Sequence, residues 1–106
     1  MAHVRVTVIE PKTGREDEAL SVLSEIDDLF SKEPELRLSF VFGGDSMGKG
    51  PFGRVAVWQT ESAANQTAMS ERALALRARL RGVSSAKVVE TLSEIVNSHS
   101  LDAAIA

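Results

Sequence analysis

Three short segments alternate apolar and polar residues with a period of two, and that constrains the fold more than anything else in the sequence. Val4, Val6 and Val8 alternate with His3, Arg5 and Thr7, which an extended strand resolves into an apolar and a polar side. Leu36, Leu38, Phe40 and Phe42 alternate with Arg37, Ser39 and Val41, and the run from Arg54 to Trp58 continues the pattern. Between the first two strands, Ala19, Leu20, Val22, Leu23, Ile26, Leu29 and Phe30 recur at intervals of three and four, a stripe that only a helix gathers onto one side. The spacing predicts this helix over 16–30, with Thr13 and Glu16 spaced as a capping box. A second helical region is expected from Ala63 to Leu80, capped by Thr60 or Ser62, open to interruption at Ser70 and closed by Gly82. Residues 86–96 hold enough β-branched side chains for a last strand.

Strand, helix, strand, strand, helix, strand is the order of the ferredoxin-like α+β fold, βαββαβ, an antiparallel sheet with two helices on one face. Residues 3–96 form the expected single domain and 97–106 a C-terminal tail. A chain of 106 residues buries only about two thirds of its unfolded surface, so a partner subunit would add burial. Parity places Arg5, Thr7, Ile9, Arg37, Ser39, Val41, Arg54, Ala56 and Trp58 together, and this mixed set is the expected outer face and homodimer interface.

Composition narrows the chemistry. The chain has no cysteine and two histidines, His3 and His99, which excludes disulfides and thiolate chemistry and gives no basis for a metal site. The net charge of −3 offers no general attraction to nucleic acid or anionic lipid. The opening MAHVRVTVIEP does not read as a signal peptide and no window reaches membrane-spanning length, so the expected location is the cytoplasm.

The stretch VAVWQTESAANQTAMS, Val55 to Ser70, resembles the most recognisable segment of the antibiotic biosynthesis monooxygenase family. There a strand ends in a tryptophan and a following helix carries a histidine and then a serine. Trp58, Ala63 and Ser70 match the tryptophan, the small residue at the helix start and the serine, and the element order agrees over roughly residues 3–96. The resemblance implies a dimeric α/β barrel in which each subunit keeps a small-molecule pocket between its own sheet and helices. It also implies a monooxygenase-like protein that needs no metal or flavin and acts on an aromatic polyketide or quinol. The alternative is a non-catalytic small-molecule-binding or structural homodimer of the same fold. Thr67 stands where many members carry the helix histidine, which removes the usual base, and around Arg5, Thr7, Thr67, Ala68 and Arg77 no haem ligand is apparent. Trp58, Phe40, Met69, Arg77, Arg5 and Thr67 are the candidate substrate-binding residues; no catalytic residue is assigned.

Other signals are weaker. GGDSMGKG approximates a phosphate-binding loop, but Gly50 replaces the serine or threonine and Pro51 leads into a strand rather than a helix. Met47 and Phe52 on this glycine-hinged segment are candidates for closing over a pocket. KGPFGRVAV resembles an RNA-recognition strand, yet Arg54 and Arg5 occupy positions where stacking needs aromatics. His3 reads as a solvent-facing edge residue, and Arg77, Arg79 and Arg81 as a run that complements a helix C-terminus.

Overall fold

The computed structural model describes residues 2–45, 47–97 and 99. Its elements are β1 (His3–Ile9), α1 (Glu16–Phe30), β2 (Leu36–Gly43), β3 (Phe52–Trp58), α2 (Glu61–Ala68), α3 (Glu71–Gly82) and β4 (Val89–Glu94). All neighbouring strands are antiparallel, in the order β2-β3-β1-β4, which is the ferredoxin-like arrangement. Ser98 and residues 100–106, most of the expected tail, lie outside the described residues.

The helices begin where side chains can take up free amide hydrogens. Thr60 Oγ1 accepts from the Ala63 N–H at 3.1 Å, and Ser70 Oγ accepts from the Ala73 N–H at 3.2 Å. Ser70 is therefore the interruption: it ends one helix and caps the next, splitting the expected 63–80 region into α2 and α3. The Thr13–Glu16 capping box does not form. Glu16 instead accepts from the Gly14 N–H at 2.6 Å, and Arg15, at the start of α1, makes no side-chain cap; Gly14 has φ +84°, and the turn it permits brings its amide to the carboxylate. The last strand is shorter than expected, because residues 86–88 leave the ladder before Val89 pairs with Val8.

The helices cover one face of the sheet, and the core lies between. Ala19, Val22, Leu23, Ile26 and Phe30 of α1 and Ala73, Leu76 and Leu80 of α3 pack with Ile9, Phe52, Ala56 and Trp58 of the sheet. The face assignment from parity is thus inverted. The set containing Arg5, Thr7, Ile9, Ser39, Val41, Arg54, Ala56 and Trp58 lies beneath the helices, and Trp58, 1% exposed, is core rather than interface. His3 shares that side on a central strand, with a largely covered side chain 3.8 Å from Glu61, so it is not an edge residue. The open face carries Val4, Val6, Val8, Leu38, Phe40, Phe42, Val55 and Val57 together with Val89. Parity groups side chains by face but does not say which group the helices cover. The apolar wealth of the second group pointed to the core, whereas it lines the uncovered side.

Gly53 marks the closest approach in the sheet: a β-carbon there would collide with the Thr7 carbonyl oxygen and the Phe42 ring. The Trp58 ring meets Phe30 edge to face, with centroids 5.8 Å apart and planes at 70°, so it ties β3 to the C-terminal end of α1. Because Trp58 fills the core, Trp58→Ala is expected to lower stability by about 3–5 kcal/mol, read as a fall in the urea midpoint. A variant of near-native stability would show that its surroundings collapse to fill the hole.

Candidate functional site

A row of cross-strand neighbours on the covered face begins the site. Thr7 pairs with Arg54 on one side and with Glu90 on the other, so three polar side chains stand abreast across β3, β1 and β4. Arg5, two residues along β1, lies on the same face and diagonal to Glu90. From above, α3 contributes Arg77 and Arg81, whose spacing of four sets both on one side of the helix. These residues and Ile26, Phe30, Ala68, Leu80 and Val88 enclose a cavity of about 390 Å³, completed by Ala86 and Lys87 in the segment leading into β4. The volume lies in the range of small-molecule pockets, and apolar walls with a few convergent polar groups are their usual lining.

Glu90 organises the polar side of this cavity. One carboxylate oxygen lies 3.4 Å from Arg5 Nη1 and accepts from the Thr7 hydroxyl at 3.2 Å, while the other accepts from Arg77 Nη2. Arg5 Nη2 also donates to the Asn65 side chain at 3.2 Å, which anchors the guanidinium to α2. One acid thus holds two arginines in place, and charge-assisted bonds of this kind fix geometry as well as energy.

Arg54 is the deeper group, 3% exposed. Its Nε donates to Asp27 Oδ1 on α1 at 2.8 Å, and its guanidinium carbon lies 5.1 Å from the centre of the Phe30 ring. Nη2 is buried and has no hydrogen-bond partner among the described residues. Burial pushes the Arg54 pKa below its ordinary value, and the bond to Asp27 offsets only part of that effect. A charge held this way is costly to leave unpaired.

The sequence candidates separate in space. Arg5 and Arg77 meet at the cavity through Glu90. Trp58 does not line it but backs Phe30, which does. Phe40 is 47% exposed on the opposite face of the sheet, where alternation puts it. Met69 is 67% exposed at the end of α2, and the Thr67 hydroxyl turns back to the Ala63 and Ala64 carbonyls; neither residue lines the cavity, although their neighbour Ala68 does. The glycine-rich connection between β2 and β3 stays away from the cavity as well. Met47 is exposed and Phe52 is core, so the two do not close over it.

No family model matches the chain, and no curated protein matches it significantly. Solved structures do. Rv0793 from Mycobacterium tuberculosis superposes with a TM-score of 0.81 at 13% identity, over 92% of this chain and 98% of that one. SnoaB, a cofactor-independent oxygenase from Streptomyces nogalater, gives 0.78 at 16% identity, over 92% and 95% of the two chains. A structure described as an antibiotic biosynthesis monooxygenase gives 0.76 at 18%, over 92% and 100%. The chain shares the ferredoxin-like α+β fold of these proteins. At these identities the likeness is one of architecture, and the chemistry of this monooxygenase-like fold has to be argued from its own side chains. Among the described residues no cluster of three or more potential metal ligands occurs, and no helix is long and apolar enough to cross a membrane.

Several residues of the site were not recognised in the sequence. Arg54 was assigned to the outer face, Arg81 to a helix-end charge run, and Asp27, Lys87 and Glu90 were not singled out. Arg81 does lie in the last turn of α3, where it complements the helix dipole and lines the cavity at once. Only the packing that sets Glu90 beside Thr7 and Arg54 beneath Asp27 assembles the group.

Removing Asp27 while keeping the buried guanidinium should be more damaging than removing both. Asp27→Asn is expected to cost about 3 kcal/mol, at the low end for a broken buried pair because Asp27 keeps part of its surface in water. Arg54→Met added to Asp27→Asn should recover most of that loss in urea denaturation. Equal instability of the single and double variants would show that Arg54 acts through packing alone.

Proposed function

We propose that the cavity binds a small aromatic molecule that is anionic or readily deprotonated, and that the protein is a cofactor-independent monooxygenase for an aromatic polyketide or quinol. The observation that carries this reading is the pairing of Arg5 and Arg77 around Glu90 in a cavity whose apolar walls include Phe30, Ile26, Leu80 and Val88. The apolar walls suit a fused ring system. The guanidiniums suit the oxyanion that forms when such a ring system loses a proton.

Glu90 is the one carboxylate among the lining residues and is the proposed base. In an anthrone-type substrate it would remove a proton from the activated carbon, and Arg5 and Arg77 would hold the resulting enolate oxygen. The electron-rich carbon then reacts with dioxygen to form a carbon–oxygen bond, and the proton held by Glu90 goes to the peroxide to give the hydroperoxide. Loss of water from the hydroperoxide leaves a carbonyl, so a methylene group and dioxygen are converted to a carbonyl and water. No histidine lines the cavity, so the base differs from the helix histidine expected of many such proteins.

One observation favours the second reading, a binding protein without turnover. Both Glu90 oxygens are already engaged, one by Arg5 and Thr7 and the other by Arg77. A carboxylate that serves as a structural clamp is poorly placed to take a proton.

Oxygen uptake by the purified protein on a panel of anthrones, naphthols and quinols separates the readings. Catalysed uptake that falls by about 10²–10⁴-fold in Glu90→Gln, with ligand affinity retained, is the expected outcome for a general base. Binding without uptake across the panel would favour the non-catalytic alternative.

We also propose a homodimer through the open sheet face. Phe40 at 47% and Val89 at 58% exposure, with Leu38 and the valines of β1 between them, form an apolar surface unusual for a face left in water. Phe40→Glu is expected to yield a folded monomer in analytical ultracentrifugation at concentrations where the parent chain is dimeric. A parent chain that sediments as a monomer throughout would remove this interface.

A further inference from the structure

The charges around the cavity do not balance. Among the described residues five cationic side chains line it, Arg5, Arg54, Arg77, Arg81 and Lys87, against Glu90 as the one acid. Asp27 outside the lining engages Arg54, which still leaves three positive charges without a counter-charge among the described residues, in a chain whose net charge is −3. The surplus has a location. Arg5 and Arg77 share Glu90, while Arg81 and Lys87 form no ion pair among the described residues. Both are exposed, whereas Ile26, Phe30, Arg54 and Leu80 are buried, so Arg81 and Lys87 stand on the solvent side of the cavity.

We infer that the ligand carries a carboxylate in addition to its reacting hydroxyl or enol, and that Arg81 and Lys87, on the solvent side of the cavity, receive it. The inference rests on the small-molecule reading above and deepens it by naming a substrate class, aromatic acids rather than neutral phenols. The cationic groups then divide the work. Arg5 and Arg77, fixed by Glu90, meet the oxygen of the ring, and the rim pair sets which way round the molecule enters. Arg81 suits this role because its planar fork can donate two parallel bonds to a carboxylate, with Lys87 adding a second, point-like charge. The buried and incompletely compensated Arg54 adds to the positive potential of the cavity without needing to touch the ligand.

A matched pair of probes tests this by calorimetry: a hydroxynaphthoate with its hydroxyl and carboxylate on different rings, and its methyl ester. The parent protein is expected to bind the acid about tenfold more tightly than the ester, a difference that shrinks as salt rises. In the Arg81→Gln/Lys87→Met variant, whose side chains lie outside the core, the preference of acid over ester should fall to within about twofold. Equal binding of acid and ester by the parent protein, or an undiminished preference in the variant, overturns the rim assignment and leaves the aromatic pocket standing. Failure of both probes to bind overturns the rim assignment and the small-molecule reading together.

Discussion

Much of this structure depends on a guanidinium placed where a hydrophobic side chain would ordinarily sit. Arg54 occupies the middle of β3 on the face that the helices cover, and its surroundings must compensate for a charge taken out of water. Asp27 does so from α1 by a direct bond, and Phe30, one turn later on the same helix, presents its ring to the cation. The pair locks α1 to the sheet in one register, and the same Phe30 carries the edge-to-face contact with Trp58. Core and cavity thus share a wall. The side of Phe30 that supports the fold and the side that faces the cavity cannot be altered independently.

From that constraint follows the division of the covered face. Towards β2 and the start of α1 it is closed and apolar, with Ile9, Phe52, Val22 and Leu23 packed together. Towards β4 and the end of α3 it opens into the cavity, where Arg5, Thr7 and Glu90 replace the apolar groups a filled core would need. Polar side chains under helices are tolerated only when they bond to one another, and Glu90 satisfies that condition for three of them. The site and the gap in the core are the same feature.

Much of the fold was legible because it is written in local periodicity. The α1 stripe and the β1 alternation each arise from neighbours in sequence, as does the capping chemistry of Thr60 and Ser70. The resemblance around Trp58 agrees with the architecture shared with SnoaB and Rv0793. The site was legible only in part. Arg5 and Arg77 were picked out, but Phe40 lies on the other face and Met69 and Thr67 lie beside the cavity without lining it. Glu90, the residue on which Arg5 and Arg77 converge, carries no local signature, since a glutamate in a strand is ordinarily a solvated side chain.

The amino-acid order alone settled the elements, their sequence and the two sets of side chains that each strand presents, because a period of two or of 3.6 is a property of the backbone. Tertiary structure decided which set the helices cover. One set mixes apolar and polar groups and the other is largely apolar, and hydrophobicity alone favours the wrong one: Val4, Val6, Val8 and Phe40 look like a core, yet Arg54 and Trp58 lie beneath the helices. That choice depends on pairings such as Arg54 with Asp27 and Glu90 with Arg5 and Arg77, between residues far apart in the chain. Only the folded register brings such partners within bonding distance.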